Sequence, residues 1–493
     1  MRRSVAVIGG GITGLAAAHA LCTKRPDLNV TLMEQSDRLG GKIQTESVDG
    51  YTIEGGPDSF LSVKPRGVGL SRELGLENRF IRPIEENAGS FVFSRGQLVP
   101  LPEGLSGLVP SRLGPMFRTP LLSPAAKVRV AMELGLRSKS GNDDETVAAF
   151  IERRFGKEVY ARMIEPLMAG IYAGDGRKLS LAATFPRLRA TERTHGGIIL
   201  GALATKRELA RRQEAPIQKR GFLSFQGGMI ELVNCLQVSL RGAGAEIETG
   251  ADVRSIAHSP DGSGFDLEVV REGHVRERTF DAVIVATPAW RAAELARQVA
   301  PAAARTLGGI PHVSNALVSV AFDASRLSRP LRGYGYVVPR VENRAVMAMT
   351  WVSSKWRDRA PDGKVLVRAF IGRAGQEQYL SGDDASLIQI ARREIEDVLG
   401  VTGNPDLTRV YRWERGMPQY NLGHLQRVHS ITAECNGIPG FEIAGNMFRG
   451  VGIPDCIASA EGAATSLLAT ITEWDTQGQS RPRSYVGGGA VTS

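Results

Sequence analysis

Cysteine is scarce in this 493-residue chain, which contains only four. No two of them form a CxxC pair, so neither a disulfide framework nor a zinc site of the usual spacing is indicated. No apolar run approaches the roughly 20 residues that a membrane-spanning helix needs. No basic stripe carries interleaved aromatic residues, which argues against a nucleic-acid partner. We therefore expect a cytoplasmic protein that holds no metal ion.

Positive charge is in modest excess. The chain has 61 Lys and Arg residues against 52 Asp and Glu, a net charge of +9. The excess is spread along the chain and mildly favours anionic ligands or membrane surfaces. A basic stretch over 206–220 invites a membrane interpretation, although a solvated helix and loop is the favoured one. Any membrane contact is expected to be peripheral.

Glycine is abundant, with 57 residues, and the first cluster follows a short apolar strand in VAVIGGGITGL (5–15). Gly9, Gly11 and Gly14 fit the pattern GxGxxG between a strand and a helix. The first permits a tight turn, the second lets a pyrophosphate approach the backbone, and the third lets helix and strand pack closely. A signal peptide is the alternative for this segment, but three consecutive glycines suit a turn better. The predicted cofactor-binding turn comprises Gly9, Gly10, Gly11, Ile12, Thr13 and Gly14.

A carboxylate at the end of the next predicted strand supports a bound dinucleotide. The stretch NVTLMEQ (29–35) predicts a strand that ends at Glu34, about 20 residues after the last glycine. A carboxylate at this distance holds a ribose hydroxyl. We predict that Glu34 and the neighbouring Gln35 contact the cofactor.

Three later pieces favour FAD over a nicotinamide cofactor. Arg38, Gly41 and Lys42 lie in SDRLGGKIQT (36–45), a second flexible, cationic turn directed at the same pyrophosphate. A buried strand ends at a Thr-Pro break in FDAVIVATPA (280–289). A further strand, glycine turn and helix follow after residue 440. A nicotinamide-binding domain would end well before the middle of the chain, whereas FAD is long and extended.

With these motifs the chain resembles the flavin monoamine oxidase superfamily. Further stretches narrow the resemblance to the oxygen-dependent protoporphyrinogen/coproporphyrinogen III oxidases of haem biosynthesis, in their soluble bacterial branch. The stretches are GYTIEGGPDSFL (50–61), EPLMAGIYAGD (165–175), LSLAATFP (179–186), RWERGMPQYNLGH (412–424) and FRGVGIPDCI (448–457). The chain departs from the bacterial pattern at Gly55, where a larger residue is common, and in a longer C-terminal tail.

The resemblance implies an α/β fold (α+β overall) with a discontinuous Rossmann-like FAD-binding domain. That domain covers 1–80, 218–296 and 405–475, a mixed-sheet substrate domain covers 81–100 and 297–404, and a helical domain covers 101–217. We expect the polar tail, 476–493, to be disordered.

Local patterns predict individual elements within these domains. In DDETVAAFIERRF (143–155) a helix is predicted with Asp144 as its N-cap and Gly156 after its end. Short strands are predicted at 315–322, 344–352 and 364–372, before a helix at 385–399.

The resemblance also places residues around the cofactor and the substrate. Beside the flavin it places Gly56, Pro57, Asp58, Ser59 and Trp413; it places Val253 at the adenine and Val451, Gly452 and Ile453 near the ribityl chain. It makes Lys64 a partner of a substrate propionate and Gly170 a residue lining the cavity. A solvated loop lysine, a helix-ending glycine and core packing are the alternatives for Lys64, Gly170 and Trp413 respectively.

The activity implied is a six-electron oxidation of a porphyrinogen by FAD and O2, with release of H2O2. The basic balance favours coproporphyrinogen III, with four propionates, over protoporphyrinogen IX, with two. A flavin amine oxidase and a non-catalytic porphyrin carrier are the rival interpretations. A ferrochelatase is the partner to which the product would pass. We assign no catalytic residue, because a lone histidine such as His424 is more often structural.

Overall fold

The computed structural model describes residues 2–477 except 103–104, 107–108, 111–112, 140, 142 and 212–220. Much of the basic stretch and almost all of the predicted disordered tail (476–493) therefore lie outside the described residues. The domain boundaries stay predictions, and the elements below are those of the described chain.

The elements have the following bounds. The strands are β1 Ser4–Ile8, β2 Asn29–Glu34, β3 Thr45–Val48, β4 Tyr51–Glu54, β5 Phe60–Leu61, β6 Phe80–Ile81, β7 Phe91–Ser94, β8 Gln97–Pro100, β9 Leu105–Ser106, β10 Val109–Pro110, β11 Phe222–Phe225, β12 Glu246–Thr249, β13 Ala251–His258, β14 Phe265–Arg271, β15 His274–Phe280, β16 Ala282–Val285, β17 His312–Asp323, β18 Gly335–Val337, β19 Val346–Trp351, β20 Lys364–Ile371, β21 Leu407–Pro418 and β22 Phe441–Ile443. The α-helices are α1 Ile12–Lys24, α2 Pro65–Glu73, α3 Leu113–Arg118, α4 Pro124–Ala131, α5 Val147–Phe155, α6 Lys157–Val159, α7 Glu165–Tyr172, α8 Leu181–Thr184, α9 Pro186–His195, α10 Ile198–Arg211, α11 Ile230–Gly242, α12 Ala289–Leu295, α13 Pro301–Gly308, α14 Val352–Lys355, α15 Asp384–Leu399, α16 His424–Asn436 and α17 Ile453–Thr476.

A five-stranded parallel sheet carries the predicted nucleotide motifs, in the order β12–β2–β1–β16–β22. Val5 and Val7 of β1 pack on one face with α1, α11 and α17, while Ala6 and Ile8 pack on the other. Both faces of β1 are therefore buried, which explains its continuous apolar run. Since β1 and β2 are parallel neighbours, the glycine turn after β1 and Glu34 at the end of β2 lie at the same edge.

The second face of this sheet is covered by an antiparallel sheet and three helices. β13, β14 and β15 form the antiparallel sheet, and α12, α13 and α16 contribute to the same apolar cluster. The strands that end at Val285 and Ile443 belong to the parallel sheet. Segments far apart in the chain thus build one nucleotide-binding layer.

A seven-stranded mixed sheet, in the order β21–β17–β20–β19–β18–β7–β8, forms the other large layer. It contains the strands predicted at 315–322, 344–352 and 364–372, and α15 confirms the predicted helix. Apolar side chains of α15 pack against one face, with Val365 and Val367 of β20. Arg368 and Phe370 point to the opposite face, because side chains alternate along a strand. That face meets β4 and the turn after it.

The helical region between these layers corrects one local prediction. α5 is capped by Thr146, whose Oγ1 accepts a hydrogen bond from the Ala149 N–H at 3.1 Å. The predicted Asp144 cap is wrong because the Asp144 carboxylate reaches across to Ser180 and to the Ala182 N–H. Gly156 follows the end of α5 with a φ of +96°, as predicted.

Within the described ranges, every helix is too short or too polar to cross a bilayer.

Candidate cofactor site

The turn after β1 depends on glycine for close packing. Gly9 has a φ of +107°, and a Cβ added there would lie 2.8 Å from the Ala286 carbonyl oxygen. A Cβ added at Gly14 would lie only 1.8 Å from the Gly9 carbonyl oxygen. The start of α1 is therefore held against the end of β1, with the helix N-terminus directed at whatever the turn binds.

Above Gly11 the space is open. A Cβ added at Gly11 would meet nothing within 4 Å, whereas one at Gly41 would lie 3.2 Å from the Gly11 Cα. The Gly40 N–H donates to the Gly10 carbonyl at 2.8 Å. The two glycine turns thus meet and leave a cradle over Gly11 that a small side chain would fill.

Glu34 lies beside this cradle. Its Oε2 accepts a hydrogen bond from the Gly10 N–H at 2.6 Å, and its Oε1 accepts from the Ser36 N–H and hydroxyl at 2.9 and 2.7 Å. Gln35 is exposed. The sequence prediction that the carboxylate and the glycine turn act on one ligand is consistent with this contact.

The two cations of the second turn differ in role. Arg38 donates to the carbonyls of Leu39, Gly41 and Ile43, and to the Gln44 side chain. It therefore fixes the turn. Lys42 makes no hydrogen bond or ion pair with any described residue, and burial lowers the pKa of its ammonium group. Lys42 is the cation left for an anionic ligand.

Two buried polar atoms in the segment after β16 have no partner among the described residues. Thr287 has its methyl carbon 3.2 Å from a Cβ built at Gly9, and its Oγ1 is buried with no partner among the described residues. Trp290 Nε1 is in the same condition. Open space over Gly11, a free ammonium group and unsatisfied donors suit a dinucleotide pyrophosphate and ribose. These residues fit FAD.

The turn from Gly55 to Ser59 forms another side of the cradle. A Cβ at Gly56 would lie 1.8 Å from the Lys42 carbonyl oxygen, so this turn packs directly on the GGK turn. The Trp413 Nε1 donates to the Gly55 carbonyl at 2.8 Å. Trp413 thus holds the turn from the side of the mixed sheet.

The Asp58 side chain points away from the cradle, into the mixed sheet. Its carboxylate lies 2.9 Å from Lys355 Nζ, 3.3 Å from Arg368 Nη2 and 3.2 Å from Trp356 Nε1, and Ser59 donates to it at 2.7 Å. Burial alone would raise the pKa of Asp58, but the two cations and the hydrogen bonds hold it well below its usual range. At Asp58 the backbone is therefore the part that is available to the cofactor.

Glu54, directly before this turn, is a buried carboxyl group. It accepts hydrogen bonds from the Met229 N–H and the Thr45 hydroxyl, both at 2.7 Å. Burial raises the pKa of Glu54 to about 7, against those hydrogen bonds and the charges of Arg359 and Arg368. Its protonation therefore changes near neutral pH.

The remaining predicted cofactor residues occupy two other edges. Val253 is buried in β13, and its carbonyl accepts from Arg291 at 2.7 Å. Val451 and Gly452 are half-buried and lead into α17, which begins at the buried Ile453. The start of α17 lies near the cradle, because the buried Cys456 of this helix is close to both Lys42 and Thr13. Their contacts with FAD stay predictions.

The two predicted substrate residues differ in environment. Lys64 forms an ion pair with Asp455, with Nζ 2.5 Å from Oδ2, and its side chain is 41% exposed. Asp455 also accepts from the Gly452 N–H at 3.1 Å. Gly170 is exposed on α7, and a Cβ there would meet nothing within 4 Å. Lys64 is therefore a shared cation rather than a free one, and Gly170 faces open space.

His424 has the surroundings of a structural histidine. It is fully buried, stacks on Tyr420 with ring centroids 4.1 Å apart, and has Nε2 3.0 Å from the Phe448 carbonyl oxygen. Burial lowers its pKa. This is the role favoured from the sequence.

Sequence reasoning missed Arg368, Lys355 and Asp455. Each contacts a predicted site residue that is about 300 or more positions away in the chain, so no local spacing could reveal it. For Arg368 the available signal was its position inside the apolar strand KVLVRAFI (364–371), because a charge buried in a strand is paired.

The chain belongs to the flavin-containing amine oxidoreductases, whose family model matches residues 12–468. FAD is therefore its cofactor, and the resemblance drawn from the motifs is confirmed. The chain is 37% identical over 472 residues to coproporphyrinogen III oxidase of Bacillus subtilis (strain 168), covering 95% of this chain and 98% of that protein.

Two further comparisons agree with this membership. Protoporphyrinogen oxidase of tobacco chloroplasts (Nicotiana tabacum) is 29% identical, with coverage of 95% and 86%. The crystal structure of a candidate protoporphyrinogen oxidase from Exiguobacterium sp. 255-15 superposes with a TM-score of 0.82 at 31% identity, covering 96% of this chain and 99% of that chain. The predicted α/β fold of a flavin oxidase is confirmed.

Two glycine substitutions should separate cofactor binding from folding. Gly11→Ala places a methyl group in the open cradle, so the apo-protein should fold while FAD affinity falls about 10- to 100-fold, the equivalent of about 1–3 kcal/mol of overpacking. Gly14→Ala forces the helix from the strand and should destabilise the apo-protein itself. FAD titration and denaturant unfolding of the apo-protein measure the two effects.

Gly462→Ala is the matched control, because Gly462 lies in α17 with open space around its Cα. It should leave FAD affinity unchanged and stabilise the fold by about 0.5–1 kcal/mol. Unchanged FAD affinity in Gly11→Ala would show that the cradle is misassigned.

Glu54→Gln should flatten the pH dependence of apo-protein stability. Because its folded-state pKa is about 7 against an ordinary 4.5, the stability that Glu54 contributes is complete below about pH 4.5 and is lost as pH rises through about 7. The loss is at most about 3–4 kcal/mol, at ~1.4 kcal/mol per pKa unit, and about 2–3 kcal/mol of it falls between about pH 5 and about pH 8. Denaturant unfolding at about pH 5 and about pH 8 measures it.

Glu73→Gln, at an exposed carboxylate of α2, controls for the loss of one negative charge. The assignment fails if Glu54→Gln and the wild type lose equal stability between the two pH values.

Proposed function

We propose that the protein oxidises a porphyrinogen to the corresponding porphyrin, with coproporphyrinogen III as the favoured substrate. The observation that carries the proposal is the match over nearly the whole length of both chains to a bacterial coproporphyrinogen III oxidase. Bound FAD supplies a two-electron acceptor that O2 reoxidises with release of H2O2. Removal of six hydrogens therefore consumes three O2 and yields three H2O2.

The chain's own contribution is to orient a flat, anionic substrate beside the cofactor. Lys64 follows shortly after the Gly55–Ser59 turn in the chain, so it can bind a carboxylate close to that turn. Asp455 occupies one of its three donor hydrogens and leaves the others for a substrate propionate. Gly170 has no side chain and faces open space beside α7. It therefore leaves room for a flat substrate there.

No side chain is assigned as a catalytic acid or base. His424 is fully buried and packed against Tyr420, and we favour a structural role for it. Pyrrole nitrogens can lose their protons to water as the bridges are oxidised, so orientation and exclusion of competing reactions are the chain's main tasks.

Three alternatives remain for the test. Protoporphyrinogen IX is the substrate named for the tobacco relative. A flavin amine oxidase would oxidise primary amines and leave porphyrinogens untouched. A porphyrin carrier that retains FAD structurally would bind porphyrin without reduction of its flavin.

Porphyrin fluorescence after addition of each porphyrinogen under air decides between these alternatives. We expect a larger kcat/KM for coproporphyrinogen III than for protoporphyrinogen IX, with H2O2 formed alongside. The reverse order would make protoporphyrinogen IX the substrate. Oxidation of neither above the rate without enzyme, with FAD bound, would falsify the proposal.

Lys64→Met should raise the KM for coproporphyrinogen III about tenfold and leave kcat nearly unchanged. The loss of one hydrogen bond to a charged group, about 1.5 kcal/mol, gives this magnitude. Steady-state kinetics measure the split. Lys157→Met, at an exposed position of α6, is the control, and an unchanged KM in Lys64→Met would make Lys64 a solvated loop residue.

A hand-over of the porphyrin to an iron-inserting ferrochelatase is part of the proposal. It rests on the chemistry of the product, which is the substrate for iron insertion. A protein that sequesters free porphyrin should not slow iron insertion if the two enzymes exchange the product directly.

The proposed location is the cytoplasm, with peripheral membrane contact through the helical region. Its exposed apolar side chains include Val128 (62% exposed), Met132 (56%) and Leu134 (47%), and Lys127 and Lys139 provide positive charge nearby. Apolar side chains with flanking cations are typical of interfacial binding.

Co-sedimentation with anionic vesicles tests this contact. Val128→Glu combined with Met132→Glu should reduce binding several-fold, and Val275→Glu, at an exposed position of β15, is the control. Equal sedimentation of all three proteins would contradict the contact.

A further inference from the structure

A buried charge cluster lies behind the Gly55–Ser59 turn, on the side of the mixed sheet. It consists of Asp58, Lys355 and Arg368, whose side chains are 12%, 12% and 4% exposed. Lys355 Nζ is 2.9 Å and Arg368 Nη2 is 3.3 Å from the same carboxylate oxygen, Asp58 Oδ2. Two permanent cations therefore face one anion, and the cluster carries one excess positive charge.

Arg368 also donates hydrogen bonds to the backbone of the turn. Its Nη1 donates to the carbonyls of Glu54 and Gly56, at 3.0 and 2.9 Å, and Trp413 holds the carbonyl between them. Arg368 Nε is buried without a partner in the described part of the chain. Arg368 thus links the charge cluster directly to the backbone of the turn.

The opposite side of the turn faces the cofactor cradle. Gly56 packs on the Lys42 carbonyl, and the GGK turn packs on Gly11. Because the N–H of a trans peptide points opposite to its C=O, the Gly56 N–H points away from Trp413 and the sheet. These contacts place the turn between the charge cluster and the GGK turn.

We propose that Arg368 and Lys355 are positioning residues that set the reduction potential of the bound FAD through this excess charge. The inference rests on the proposed placement of the Gly56–Ser59 backbone against the flavin. Reduction adds negative charge to the cofactor, and a positive charge in a site of low dielectric stabilises that state more than the oxidised one. Lys42, on the other side of the turn, acts in the same direction.

Variants that remove a cation and a variant that removes the anion should shift the midpoint potential in opposite directions. Lys355→Met and Arg368→Gln each remove a cation and should lower the midpoint potential, favouring oxidised flavin about tenfold, which is about 30 mV for a two-electron couple. Asp58→Asn removes the anion and should raise the potential by a similar amount. Arg368→Lys keeps the charge but loses the grip on two carbonyls, so it should weaken FAD binding with a smaller change of potential.

Anaerobic titration of each holoprotein against a reference dye, at one pH and without any porphyrinogen, measures the potential. FAD titration and denaturant unfolding of the apo-proteins report structural damage separately. Lys364→Met is the matched control, since Lys364 lies on the same strand but pairs with Asp323 and Asp406 at the surface. It should not change the potential.

Opposite signs for Asp58→Asn and Lys355→Met establish the electrostatic role. The proposal is overturned if the midpoint potential shifts with the same sign in all variants, or if no shift is larger than that of Lys364→Met. The cluster would then have a purely structural role. If Arg368→Gln or Asp58→Asn loses FAD, Lys355→Met alone decides: a lowered potential supports the proposal and an unchanged one refutes it. Absence of porphyrinogen turnover would bear on the proposed function and not on this measurement.

Discussion

Backbone packs directly on backbone around the cofactor cradle, at contacts where glycine leaves no Cβ atom in the way. The Gly14 α-carbon lies against the Gly9 carbonyl, the Gly41 α-carbon against Gly11, and the Gly56 α-carbon against the Lys42 carbonyl. The contacts tie the first βα turn, the GGK turn and the Gly55–Ser59 turn into one continuous wall. A side chain at Gly14 or Gly56 would collide with backbone and disturb this wall.

Charged side chains around this wall divide into those that hold backbone and those that remain for ligands. Glu34 holds the Gly10 N–H, Arg38 holds three carbonyls of its own turn, and Asp58 is held by the mixed sheet. Lys42 has no partner among the described residues, and Lys64 shares a single carboxylate. Most of the charged groups in this wall therefore hold the framework together, and Lys42 and part of Lys64 remain for an anionic ligand.

The helical region is joined to the flavin-binding part by aromatic packing instead of charge. Tyr172 of α7 lies 5.8 Å from Tyr420, which stacks on His424 at the start of α16. The Tyr420 hydroxyl and His424 both contact carbonyls of the segment that leads into α17. This packing fixes the wall that carries Gly170 relative to the helix N-terminus that carries Asp455. The stacking of Tyr420 on His424 is part of this packing.

Local sequence patterns predicted the glycine turn, the carboxylate at Glu34 and the strands of the mixed sheet. The motifs together, and the family that they resemble, predicted the cofactor class. Those features depend on neighbours within one βα unit or on the two-residue period of a strand, which the sequence displays directly. Tertiary structure decided the partners of charged groups: Lys64 with Asp455, and Asp58 with Lys355 and Arg368. It also decided that Thr146 and not Asp144 caps α5, because Ser180 competes for that carboxylate. Pairings between residues hundreds of positions apart follow from how the sheets meet, and no spacing in the sequence encodes them.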